Sequence, residues 1–437
     1  MKTKIFIITG LLLITLLSFA QQTWTLQQCV DTAWANNRNV KQQAFTKRTK
    51  EIAYQQARQN LLPNVNAFVQ ESFGFGRTLN ENKIYLNSST AYNQTTSLSL
   101  SASLNLFDGL KMKYLIDARK AEMNASGTDL EKIKQDIALS VAGGYLQILL
   151  NKKLFQIANE QLGLTKTKTE QRKVLVENGK MAEGEMYELI AQKSKEELAR
   201  TQAENTLKLS LLDLAQIMEL DHFEDLNVKF PENLSESDLR LLSADEVYES
   251  ALTHRPEIKG AEYRLKISEN NVLINKADYY PSLTLETGIQ SRYYNDNSGF
   301  GFDSFSNQVS DKLNAGVNLN LRIPIFNKFD VRNRVRTAQI EKESSKLSIY
   351  NAKLEIKKTI QQAYYNAIAA KTRWAAAEKS EIASREAYRF TNQKYEAGRG
   401  TVYELYQAKN NLTQVLSEQA QAKYEYFFRL KLLEYMK

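Results

Sequence analysis

His222, His254 and Cys29 are the only two histidines and the only cysteine among 437 residues, so the chain is poorly supplied with the side chains that most catalytic and metal chemistry needs. A zinc site draws on several Cys and His ligands, a triad needs a base beside its nucleophile, and one thiol forms no intrachain disulfide framework. His222 lies beside Asp221, Glu224 and Asp225, but one imidazole among linker acids reads as a solvated loop. His254 reads as the start of a helix, and Cys29, in Leu26-Gln-Gln-Cys29-Val, as an ordinary helix residue rather than a lipid anchor. Asp296-Asn-Ser-Gly299 has the beginning of a calcium-loop spacing without its remaining ligands. Gly299-Phe-Gly301 and Gly398-Arg-Gly400 lack the strand-to-helix setting that lets glycine loops cradle phosphate. The expectation is a protein that is not an enzyme, with no catalytic residue, cofactor or metal.

Composition points the same way. Hydrophobic residues are 43% and charged residues 25%, which is globular, while 17 Gly and 5 Pro leave few breaks and imply long elements. The formal charge is +8, with two of those charges, Lys2 and Lys4, in an N-terminal leader. Lys and Arg are interleaved with Glu along the helical stretches and form no long basic block, which argues against nucleic acid as a partner. The leader has basic residues, the apolar run Ile5–Leu17 and a small-residue site at Ser18-Phe19-Ala20, so residues 1–20 read as a secretory signal peptide.

What would position any functional group is a duplicated scaffold. Gln59-Asn-Leu-Leu-Pro63-Asn-Val65 matches Ala277-Asp-Tyr-Tyr-Pro281-Ser-Leu283, and Ser103-Leu-Asn-Leu-Phe107 matches Arg322-Ile-Pro-Ile-Phe326, at offsets of 218 and 219. Ile137, Val141 and Tyr145 fall on Ile356, Ile360 and Tyr364, and Glu177-Asn-Gly179-Lys on Glu396-Ala-Gly398-Arg. Cys29, Ala33 and Val40 fall on Val247, Ala251 and Ile258. Two tandem copies, residues 21–230 and 231–437, follow from this, joined through Glu219–Leu242.

Each copy changes period. Ser97–Phe107 alternates Leu98, Leu100, Ala102, Leu104 and Leu106 with Ser and Asn, and Lys312–Ile323 does the same with Leu313, Ala315, Val317, Leu319, Leu321 and Ile323. This is the pattern of a strand with unlike faces. Residues 64–76 and 282–293 alternate less cleanly, and each pair is joined by a long polar loop, Thr78–Tyr92 or Tyr294–Asp311. A soluble sandwich produces such alternation. Membrane-length strands, export and aromatic rims such as Phe73, Phe107, Tyr293 and Phe326 favour a bilayer. Four strands close no barrel, and open edges are not tolerated in lipid, so spanning strands require several chains to share one barrel.

The remainder reads as helix. Gly109 to about Val176 and Asp330 to about Ala397 are proline-free, and roughly 67 residues make a rod of about 100 Å. Ile356, Ile360, Ala363, Ala367, Ala370, Trp374 and Ala377 step by alternate fours and threes, a heptad seam, and Ile137, Val141, Gly144, Ile148, Asn151, Phe155, Ala158 and Leu162 repeat it. Glycines at 179 and 398 mark hairpin tips, from which helices return over Ala182–Met218 and Val402–Met436. Glu185 and Glu404 each lie six residues past a tip glycine, at equivalent heights.

The chain resembles the TolC-like outer-membrane efflux proteins, or outer membrane factors. The resemblance rests on Trp24-Thr-Leu26-Gln-Gln-Cys-Val30-Asp-Thr-Ala33, Asn36-Asn-Arg-Asn-Val40, His254-Arg-Pro256-Glu-Ile258, Leu62-Pro63 and Tyr280-Pro281, and Lys394-Tyr395-Glu-Ala-Gly398 before Glu404-Leu405-Tyr-Gln-Ala408. It implies a mainly α fold with membrane β, a homotrimer whose shared twelve-stranded outer-membrane β-barrel continues into a twelve-helix periplasmic α-barrel. It implies a passive exit duct of a tripartite efflux or type I secretion system, with outer-membrane lipid, a periplasmic adaptor (membrane fusion protein) and an inner-membrane transporter as partners. It further implies a periplasmic gate in which Tyr395 and a cation engage Glu185, with Glu404 in an acidic ring. The family's Arg position is Gly400 here and its second ring acid is Gln407, which leaves Arg399 as the substitute cation. The alternative is a soluble periplasmic coiled-coil adaptor or structural protein, which has no need of four membrane-length strands.

Overall fold

The structure is a computed structural model that describes residues 23–79, 85–86, 92–179, 182–221, 226–229, 241–296 and 302–437. The leader, most of the Thr78–Tyr92 loop, Lys180, His222 with Glu224 and Asp225, Pro231, and Gly299 and Gly301 with the calcium-like spacing lie outside the described residues.

The described elements are β1 (Thr23–Trp24), α1 (Leu26–Asn36), α2 (Arg38–Gln59), β2 (Asn64–Phe75), β3 (Thr78–Leu79), β4 (Tyr85–Leu86), β5 (Tyr92–Phe107), α3 (Lys111–Glu177) and α4 (Glu183–Met218). They continue with β6 (Asn227–Val228), α5 (Ala244–His254), α6 (Pro256–Ala277), β7 (Ser282–Asp296), α7 (Phe305–Asp311), β8 (Asn314–Arg322), α8 (Asp330–Glu396) and α9 (Val402–Met436). Both long helices have 67 residues. His254 closes α5 rather than opening a helix, because Pro256, which has no N–H to give, suits the first position of α6.

Two compact units divide the chain, and each takes residues from both sequence copies. The first comprises residues 1–45, 128–259 and 350–437. Its cores reproduce the duplication. Cys29, Val30 and Ala33 of α1 pack with Val141, Tyr145 and Ile148 of α3, and the matching Val247 and Ala251 of α5 pack with Ile356, Ile360 and Ala363 of α8. Burial pushes the Cys29 thiol up to about 12, so it is an inert packing residue. Among the described residues only the first copy carries the short parallel pair β1–β6, where the Tyr145 hydroxyl donates to the Lys229 carbonyl at 2.6 Å.

The second unit, residues 46–127 and 260–349, holds an antiparallel sheet in the order β2-β5-β7-β8. Its register sorts the faces as the alternation predicts. Val65↔Ala102, Ala67↔Leu100, Leu100↔Ile289 and Leu285↔Leu319 put apolar residues opposite one another, and Asn66↔Ser101, Ser101↔Gly288 and Glu286↔Asn318 do so for polar ones. Val69, Leu100, Ile289, Val317 and Leu319 are exposed, and so are Asn66, Gln70, Asn318 and Asn320 on the other face. A sandwich would cover one of these faces. The strands run beyond the expected spans at Tyr92 and Asp296, and β8 is shorter than expected, Asn314–Arg322. Below the sheet, Asp278 accepts from Lys111 at 2.7 Å and from Arg334 at 2.6 Å, fixing the start of β7 against both long helices. The strand-to-helix switches use matching left-handed pairs, Gly109-Leu110 and Lys328-Phe329, at the 219 offset. At Gly109 a Cβ would stand 2.7 Å from the Ala277 carbonyl, which explains glycine there.

Candidate functional site at the hairpin ends

Both hairpin turns lie in the first unit. At the end of α8 the amide of Gly398 donates to the Tyr395 carbonyl and that of Arg399 to the Lys394 carbonyl, both at 3.0 Å, closing the helix through a left-handed glycine with φ +70°. Gly179 does the same for α3 with φ +67°. No atom stands within 4 Å of a Cβ built at either glycine, so the requirement is conformational rather than steric.

Thr401 caps α9. The Glu404 amide donates to its hydroxyl at 3.1 Å, and the Thr401 amide donates back to the Glu404 carboxylate at 3.4 Å. Lys394 adds a third contact, its ammonium 3.0 Å from the same carboxylate oxygen. Lys394 first, and the Thr401 amide second, hold the Glu404 carboxyl below the usual glutamate range. Glu404 therefore carries its own counter-ion from α8, a partner that sequence reading missed. Gly400 permits this arrangement, since a Cβ there would stand 3.3 Å from both the Glu404 carboxylate and the Tyr395 amide.

Tyr395 is the buried member of the group, 8% exposed, in a cluster with Leu189 of α4 and Val402, Leu405 and Tyr406 of α9. Its hydroxyl donates to Glu185 in the first turn of α4 at 3.5 Å. Burial, seconded by Glu185, pushes the phenol above its ordinary value, so it stays a donor at neutral pH. The guanidinium of Arg172, on α3, lies 4.7 Å from the centre of its ring. Arg399 is exposed, and among the described residues its side chain has no ion-pair partner. Gln407 is exposed and lines a shallow groove of about 460 Å³ with Thr391, Lys394, Glu404, Ala408 and Asn411. The structure thus brings Tyr395 to Glu185 and sets Glu404 on Lys394, and it leaves Arg399 and Gln407 outside those contacts.

Deeper in the bundle, Lys409 of α9 is almost wholly enclosed, its side chain 4% exposed. Its ammonium donates to the Gln161 carbonyl of α3 and to Glu196 of α4, each at 2.9 Å, and to the Thr165 hydroxyl. Burial lowers its pKa, against the opposing pull of Glu196. The other Glu196 oxygen and the Tyr406 hydroxyl have no partner among the described residues. The signal was present in the sequence, because Lys409 interrupts the stripe Val402, Leu405, Leu412, Val415 at a core position.

Among the described residues no group of three His, Cys, Asp or Glu could hold a metal ion, and no helix is long and apolar enough to cross a membrane.

A family model described as outer membrane efflux protein matches residues 29–218 and 247–430, one segment in each copy. The toxin and drug export protein A of Aggregatibacter actinomycetemcomitans is 22% identical over 411 residues, covering 91% of this chain and 83% of the relative. CyaE of Bordetella pertussis is 22% identical over 314 residues, and there the match spans 64% of the relative's own length. Among solved structures, the channel-forming protein CusC superposes with a TM-score of 0.78 at 16% identity, covering 94% of this chain and 91% of that one. VceC of Vibrio cholerae superposes with a TM-score of 0.75 at 14% identity over 94% and 95%.

Proposed function

The chain belongs to the outer membrane efflux protein family, and from that footing we propose that it is a passive exit duct serving a tripartite efflux or type I secretion system. It resides in the outer membrane, with its helices directed into the periplasm. Three copies close one twelve-stranded barrel and gather twelve helices beneath it. An inner-membrane transporter supplies the solute and a periplasmic adaptor seals the junction.

The observation that carries this reading is the sheet. Among the described residues its edge strands β2 and β8 each have a free side, its apolar face is exposed, and its opposite face is polar and exposed as well. Unpaired backbone groups cost several kcal/mol each in hydrocarbon, so such a sheet is tenable in a bilayer only when β8 of one copy pairs with β2 of the next. The Ser- and Asn-rich face then lines water and the Leu- and Val-rich face meets lipid.

The hairpin ends form the periplasmic constriction, with Tyr395 and Glu185 as its closing contact and Glu404 as its cation-attracting group. Purified protein in planar lipid bilayers is expected to conduct ions with a preference for cations. Glu404→Ala is expected to weaken that preference, and Tyr395→Phe to raise conductance, alone or combined with Arg399→Ser. A protein that inserts but conducts nothing overturns the channel reading, whereas unchanged selectivity and conductance in these variants moves the constriction elsewhere.

A further inference from the structure

We propose that Arg172 is the positioning residue that holds the candidate gate, by seating its guanidinium on the ring of Tyr395. The proposal rests on the reading of the hairpin ends as a constriction.

Tyr395 is where the four long helices meet. It belongs to α8, its hydroxyl reaches Glu185 of α4, and its ring packs on Leu405 and Tyr406 of α9. The remaining helix, α3, reaches the ring through Arg172, whose guanidinium lies 4.7 Å from the ring centre. A guanidinium over a phenol face is attracted by the ring quadrupole, and more strongly when the ring is withdrawn from water, as Tyr395 is. The cation draws electron density from the ring, so the hydroxyl becomes a better donor toward Glu185. Arg172 therefore fixes the plane of the ring and strengthens the single hydrogen bond that the ring makes across the hairpins.

Three lysines of these helices have other partners. Lys394 is on Glu404, Lys168 donates to Asn392, and Lys409 is enclosed with Glu196. Arg399 is exposed, with only its backbone amide joined to the turn. The duplication sharpens the assignment, because the positions matching Arg172 and Tyr395 at the 219 offset are Thr391 and Val176. The stacked pair occurs in one copy only and is not inherited scaffold.

Single-channel recordings on Tyr395→Leu, Glu185→Gln, Arg172→Gln, Arg172→Lys and Arg399→Ser test this, with the detergent-resistant oligomer checked for each variant. Losing a contact of this kind shifts a two-state equilibrium about two- to fivefold, which sets the expected change in open population. Arg172→Gln should raise it as Tyr395→Leu does, and should add nothing in the Tyr395→Leu background. Arg172→Lys should fall between, since it keeps the charge and loses the broad, weakly hydrated guanidinium that suits a ring face, and Arg399→Ser should behave as the unaltered protein. If Tyr395→Leu opens the channel and Arg172→Gln does not, the assignment of Arg172 is overturned while the gate reading stands. If neither Tyr395→Leu nor Glu185→Gln changes the recordings, the gate reading fails and the proposal fails with it.

Discussion

Lys409→Met is expected to lower the unfolding free energy by about 3–5 kcal/mol, the cost of leaving a buried carboxylate without its counter-ion. The ammonium is enclosed and makes three hydrogen bonds, to Gln161 and Thr165 on α3 and to Glu196 on α4. Removing it leaves Glu196 with no cation and only the Gln192 amide, 2.8 Å from one oxygen, while the other oxygen lacks a partner among the described residues. The double variant Lys409→Met with Glu196→Leu is expected to recover most or all of the loss, because replacing both members of a buried pair by apolar groups is often neutral or stabilising. Denaturant unfolding in detergent, followed by circular dichroism, measures both changes. A loss below about 1 kcal/mol for the single variant would mean that the pair behaves as an exposed one.

The second large effect lies in the sheet. Leu319→Arg is expected to cost roughly 2–4 kcal/mol on refolding into lipid vesicles, the price of an arginine facing lipid near the midplane. Leu319 is 62% exposed on the apolar face and stands opposite Leu285, which stands opposite Leu104. Leu100→Arg, on the same face, is expected to behave alike. Ser101→Arg and Asn318→Arg, on the polar face, are expected to be tolerated, since the proposed barrel turns that face toward water. Equal sensitivity on both faces would place both in similar surroundings and remove the basis for a lipid-facing wall.

The faces of the strands were legible because a period of two is a local property: Leu98, Leu100 and Leu104 alternate with serines whatever else the chain does. Helix lengths and hairpin turns were legible for a similar reason, with prolines absent over 67 residues and a left-handed glycine, Gly179 or Gly398, after each long helix. The outer strand ends were not. From Tyr92 to Thr96 and from Tyr294 to Asp296 the residues are polar or aromatic on both faces, and it is the pairing Asn93↔Asp296 through Thr96↔Tyr293 that makes them strand. At the hairpin ends Tyr395, Glu185 and Glu404 were found through resemblance. Arg172 and Lys394 were missed because their partners lie on other helices, at separations no local spacing encodes. Arg399 looked equivalent in sequence, yet its side chain leaves the turn toward solvent.

The sharing of one barrel by several chains is tested most directly by the mass of the detergent-extracted protein, measured on the same fraction that conducts ions in a bilayer. A sheet of four strands with two edges unpaired among the described residues requires more than one chain in that fraction, and the proposed barrel predicts three. A conducting particle with the mass of a single chain would contradict the account.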